Sequence, residues 1–286
     1  MRYFIFRILP VLLFGIFLSG CSELETNAPQ PQPVLTVHKD GIVTPGHANF
    51  HGNLIRENGW SMTECKTCHA ADFSGGIAKS SCNTCHTGSK GPESCNTCHG
   101  SFSDPSRIAP PRDIDGNTSV SVRGVGAHSI HLYDNSFGNT VKCSTCHNVP
   151  QSLYASGHMD SDGIAEVVLK NNAVLHGADN AAYSYSDGSC SNTYCHGNFT
   201  FYKDSASAQN KFIYSSDKIT GTPVTVKWTD VGKDEAKCGS CHGLPPAGHK
   251  QVPLSSCYSC HSDVVDQYGN IINKEKHING TVDARN

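Results

Sequence analysis

Apolar positions along this chain fall into short, weakly periodic runs. Ser119 to Val125 and Thr222 to Trp228 alternate apolar and polar residues, which predicts two short strands. Val167 to Leu169, with Val174 and Leu175, predicts a third. Elsewhere periodicity is poor. Phe4 to Leu18 is mostly apolar but is broken by Arg7 and Pro10. Too short to span a bilayer and ending in small residues, it reads as a signal peptide. The expected fold class is therefore mostly irregular and loop-rich, with short helices and a few short strands.

Composition sharpens this picture. Only 37% of the 286 residues are hydrophobic and 8% aromatic, while Gly 27 and Pro 14 favour loops. An apolar core of ordinary size is not available, so disulfides, metal ions or covalent cofactors are expected to order the interior. A formal charge of −3 gives no basic footprint and argues against a nucleic-acid partner. The two unusual counts are Cys 15 and His 16.

The first cysteine closes the sequence Leu18-Ser19-Gly20-Cys21, which resembles a bacterial lipobox. That resemblance implies a signal peptide at 1–20, lipidation of Cys21 and, with Ser22 following, retention at the outer membrane on its periplasmic or cell-surface face. Residues 21–37, with Pro29, Pro31 and Pro33, are expected to be lipid anchor and extended tether. Removing 1–20 takes away Arg2 and Arg7 and no acid, which moves the charge from −3 to −5.

The other fourteen cysteines form seven pairs, each followed directly by His. Six are Cys-x-x-Cys-His: Cys65, Cys68 and His69; Cys82, Cys85 and His86; Cys95, Cys98 and His99; Cys143, Cys146 and His147; Cys238, Cys241 and His242; Cys257, Cys260 and His261. The seventh, Cys190, Cys195 and His196, has four residues between its cysteines, so its two extra residues must bulge. Cys-x-x-Cys-His is the attachment pattern of c-type haem, in which two thiols add across the vinyl groups of one porphyrin and the adjacent His is brought to the iron. Roughly 0.04 such motifs are expected by chance at these Cys and His frequencies. Structural zinc normally takes two Cys pairs per metal or more distant His, and disulfides explain no His at all. Seven covalently bound haem c groups are expected, with the haems serving as the core.

Seven proximal ligands leave nine histidines: His38, His47, His51, His128, His131, His158, His176, His249 and His277. After signal removal only Met62 and Met159 remain as rivals, so bis-histidine ligation is favoured. The distal candidates are His47, His51, His128, His131, His158, His249 and His277. His38, beside the tether, and His176, in a haem-poor stretch, are expected not to ligate. Iron closed on both faces suits electron transfer, whereas an open position marks an enzyme or gas binder.

The spacing of the motifs divides the chain. A trihaem module is expected at 38–103, a linker at 104–119 containing Pro105, Pro110 and Pro111, and a tetrahaem domain at 120–286. Ser81–His86, Ser94–His99 and Ser256–His261 read as one small repeated unit. About 38 residues per haem forces the porphyrins close together.

From Gly124 to Val282 the chain resembles the Cys-x4-Cys-His/Cys-x-x-Cys-His multihaem domain of exported cytochromes of metal-reducing bacteria. The resemblance is carried by Gly126-Ala127-His128 with His131-Leu132, Cys143-Ser144-Thr145-Cys146-His147 with Val149-Pro150, and Gly157-His158. It continues through Cys190-Ser191-Asn192-Thr193-Tyr194-Cys195-His196-Gly197, Cys238-Gly239-Ser240-Cys241-His242-Gly243 with Pro245-Pro246, and His277-Ile278-Asn279-Gly280-Thr281-Val282-Asp283. It implies an electron carrier at the outer membrane serving respiration to extracellular acceptors such as metal oxides or metal ions. Other multihaem cytochromes or a porin-like outer-membrane protein would be its partners. The rival readings are a multihaem reductase of nitrite or a sulfur oxyanion with one open iron, and a subunit of a haem-lined surface filament. A haem motif ending in Lys would favour the reductase, and the sequence has none. No catalytic residue is nominated.

Overall fold

The computed structural model describes residues 37–109, 112–159, 163–233 and 237–284. The signal peptide, Cys21 and the tether as far as residue 36 lie outside the described residues, as do Pro110 and Pro111 of the expected linker. Two compact units divide at Gly59–Trp60. Among the described residues no helix is long and apolar enough to cross a membrane.

The described part of the first unit is a series of tight turns leading into α1, His51–Glu57. The carbonyl of Ile42 accepts both the backbone N–H and the ring Nδ1–H of His51, each at 2.8 Å, and so pins the start of α1.

The second unit is built from pieces of one turn. Its α-helices are α2 (Lys66–His69), α3 (Cys95–Cys98), α4 (His128–Leu132) and α5 (Cys257–His261). Three further motifs lie on single 3-10 turns at Cys82–Thr84, Cys143–Thr145 and Tyr194–His196. Strands β1 (Ala182–Ser184), β2 (Ser189–Ser191), β3 (Thr200–Tyr202), β4 (Lys218–Thr220) and β5 (Val226–Lys227) form two small antiparallel sheets, ordered β1-β2-β5 and β3-β4. The β1–β2 turn is made by Asp187, which accepts from Ser189, and Gly188, whose φ of +73° lies in the left-handed region that favours glycine.

Only one of the three predicted strands is one, and only in part. In 222–228 just Val226 and Lys227 pair, with Cys190 and Ser189. Ser119 to Val125 is a chain of turns, with Val122 N–H on Ser119 and Val125 N–H on Val122. Residues 167–169 are extended without strand pairing, and 171–174 form a 3-10 turn. The reason is the same in the two extended stretches: their amides donate to the motif turns instead of to a neighbouring strand. Val168 N–H donates to Cys146 and Lys170 N–H to Thr145, at 2.7 and 2.8 Å. Val224 N–H donates to His196 and Thr222 N–H to Cys241, both at 2.9 Å. Pro223, between the latter two, has no N–H to give.

The expected linker is tied to its surroundings. Ala109 is buried and its N–H donates to Tyr133 Oη, while Asp113 accepts from the amides of Asp115 and Asn117. Across the first motif, Lys66 donates to Glu93 at 2.7 Å, a bond that raises the Lys66 pKa.

The polypeptide core is thin. Its buried apolar residues are Met62, Phe73, Ala109, Val125, Ala173, Ala178, Tyr194, Tyr214, Ile219, Val226 and Val264, and no large side chain among the described residues is fully buried. In its place the second unit lines a cavity of about 3180 Å³. A small-molecule pocket is normally about 300–1,000 Å³.

Gly197 shows how tightly the motif turns are joined. Its φ is +92°, and a Cβ there would lie 2.2 Å from the Thr222 carbonyl and 2.5 Å from that of Cys241. Gly177 has φ +93° with nothing within 4 Å. Gly177→Ala should cost about 1 kcal/mol, the left-handed penalty alone. Gly197→Ala should cost about 3 kcal/mol, since overpacking against backbone is added. Paired thermal unfolding of the mature protein checks this, and equal losses would show that the close approach is slack.

Candidate haem-binding site

A single turn of backbone brings each His beside its cysteines. The N–H of His69, His86, His99 and His147 donates to the carbonyl of the first cysteine of its own motif, at 2.9–3.0 Å. Four residues apart on such a turn, that cysteine and the His share a face. Among the described residues none of the fourteen cysteines is joined to another in a disulfide.

The Cys190–His196 motif reaches the same end differently. Cys190 lies in β2, Asn192 takes a left-handed φ of +54°, and the chain then turns through Tyr194–His196. The two extra residues do not bulge from a turn; they convert it into a strand followed by a turn. Thr193 and Tyr194 are buried, so the insertion packs inward.

The imidazoles have a shared arrangement. Ten of the described rings direct Nδ1 at a backbone carbonyl: those of His51, His69, His128, His131, His147, His158, His242, His249, His261 and His277. A carbonyl can only accept, so Nδ1 holds the proton and Nε2 presents its lone pair. One predicted non-participant and one predicted participant differ from this pattern. His176 donates through Nε2 to the Gly280 carbonyl. His47, expected as a ligand, accepts the Asn49 N–H at Nδ1, which places its proton on Nε2, the nitrogen a metal would need. The Nδ1 of His196 is buried without a hydrogen-bond partner.

Four proximal histidines face four of the distal candidates. Ring centroids are 6.2 Å apart for His99 and His158, 6.3 Å for His147 and His128, 6.1 Å for His196 and His131, and 6.3 Å for His242 and His277. The four separations agree to within 0.2 Å. An imidazole nitrogen binds a first-row metal at about 2 Å, so two imidazoles on opposite sides of one ion have centroids about 6 Å apart. These pairs line the cavity, together with the cysteine pairs from Cys95 to Cys260.

Electrostatics follow from that setting. Burial lowers the pKa of His99 and His277, and pushes His128 and His196 down to about 4. At neutral pH these rings are uncharged and able to ligate. Burial pushes the Cys190 thiol up to about 11 and Cys195 up to about 12. Among the described residues no three or more His, Cys, Asp or Glu side chains come together to hold a metal ion by themselves, as a structural zinc would require. Thiol pairs, paired Nε2 nitrogens and a large apolar-walled space fit a porphyrin that carries its own four equatorial nitrogens.

Residues 189–242 match the protein family described as the Geobacter CxxxxCH...CXXCH motif. No curated protein and no solved structure matches the chain. The matched segment holds Cys190–His196 and Cys238–His242 and supports a multihaem c-type cytochrome domain. Its motif implies covalently bound haem c and electron transfer.

Two features of the site escaped the sequence reading. Trp228 packs against both His128 and His131, yet a lone tryptophan ending a predicted strand gives no such signal. The loops Asp113–Asn117 and Asp266–Asn270 share an Asp-x-x-Gly-Asn pattern in which the Asp carboxylate accepts from the Asn amide and side chain. That spacing was legible as a turn signal.

Proposed function

We propose that this chain is a heptahaem electron-transfer cytochrome, lipid-anchored at the outer membrane, that relays electrons toward extracellular acceptors such as metal oxides. The observation that carries the proposal is the set of four facing imidazole pairs at a metal-spanning separation. When bound, haem iron supplies one-electron exchange between its ferric and ferrous states. The chain's residues do the rest. The cysteine thiols would hold each porphyrin, the proximal and distal imidazoles would ligate its iron, and the carbonyls on Nδ1 orient those rings and raise their basicity. Ligation by two imidazoles would keep small molecules off the metal, which is why this reading is a carrier and not a reductase.

Of the nine spare histidines, His47 and His176 have Nε2 engaged or protonated. Six of the others, His51, His128, His131, His158, His249 and His277, hold Nδ1 on a backbone carbonyl and present Nε2. The lipobox supports the anchor, and the net negative charge of the mature chain suits basic partner proteins or cationic metal species. Other multihaem cytochromes, or a porin-like protein able to pass electrons through the membrane, are the proposed partners.

The test is carbon monoxide added to the fully reduced mature protein, followed in the Soret region. No spectral shift is expected. A shift amounting to one haem in seven would reveal an open iron and restore the reductase reading. Resonance Raman spin-state bands check the ligand set: His158→Ala and His277→Ala should each turn one haem high-spin, whereas His47→Ala and His176→Ala should turn none.

A further inference from the structure

Two of the paired imidazoles rise from one short helix. His128 and His131 lie three positions apart on α4, and their partners are the histidines of two different motifs, His147 and His196. Trp228 touches both. Its ring meets His128 edge-on, at 4.8 Å and 88°, and stacks on His131 at 5.5 Å and 25°.

The indole is itself held at several points. Its Nε1–H donates to the Arg123 carbonyl at 2.9 Å, and its backbone N–H to the Gly188 carbonyl at 2.8 Å. Arg123 in turn donates through its guanidinium to the carbonyls of Tyr185 and Ser186 in the β1–β2 turn. On the other side Gly126, with φ +42°, leaves room for the ring: a Cβ there would lie 2.0 Å from Nε1. One rigid ring fastened to the hairpin that carries Cys190 therefore limits the rotation of two distal imidazoles.

We propose that Trp228 is a positioning residue for two axial ligands at once, coupling ligand orientation at the iron of Cys143–His147 to that at the iron of Cys190–His196. The proposal rests on the bis-histidine reading above. Nothing in it requires Trp228 to touch an acceptor or to carry charge.

The test is low-temperature EPR of the oxidised mature protein, because the g-values of a low-spin ferric haem report the relative orientation of its axial rings. In Trp228→Ala two of the low-spin signals should shift and the others should overlay the parent. In Trp228→Phe, which keeps a stacking face but loses the N–H to Arg123, the same two should shift by less. An unchanged spectrum, a shift in one signal, or a shift in all of them would overturn the proposal. Should the alanine variant fail to mature, Gly126→Ala displaces the indole from the opposite side and must move the same two signals. A parent spectrum lacking low-spin haems would overturn the bis-histidine reading itself; a fully low-spin parent with an unmoved Trp228→Ala spectrum overturns only the role of Trp228.

Discussion

An imidazole offers one nitrogen to a metal only while the other keeps the proton, and this chain settles that choice with backbone carbonyls. Ten described rings are tied through Nδ1 to a carbonyl oxygen. Three of these carbonyls, of Ile42, Val125 and Ala127, also accept a backbone N–H, while those of Ser80, Glu166 and Leu153 lie in loops outside the helices and strands.

The same economy governs packing. One-turn helices bring each first cysteine and its histidine onto one face, and extended segments then lay their amides along the turns: Val168 and Lys170 on one motif, Val224 and Thr222 on two others. These three motifs are thus held by backbone bonds contributed from elsewhere in the second unit. Small and half-buried residues complete the structure without filling it, and leave a large cavity lined by cysteines and histidines.

Much of the chemistry was legible in the sequence because covalent attachment demands particular residues at fixed spacing. Each Cys-x-x-Cys-His stands out against any background of composition. The facing histidines were legible only as a surplus. Whether a given ring can ligate depends on which carbonyl or amide reaches its Nδ1, and that is set by contacts such as Phe137 with His277, 140 residues apart. His47 illustrates the limit: its sequence surroundings resemble those of His51, but the Asn49 amide reverses its tautomer. The strands were misread for a related reason. Alternation in 119–125 and 167–169 marks extended or turning chain beside a motif, and periodicity cannot distinguish an amide that bonds a strand from one that bonds a turn.

The central claim is that paired, Nε2-presenting imidazoles close the irons of this protein on both faces. Spin quantification by low-temperature EPR of the oxidised mature protein, set against protein and iron concentration, addresses it directly. The account predicts that all the ferric iron is low-spin, at one haem for each of the seven Cys-Cys-His motifs. A stoichiometric high-spin ferric signal, or iron well below seven per chain in properly matured protein, would contradict it.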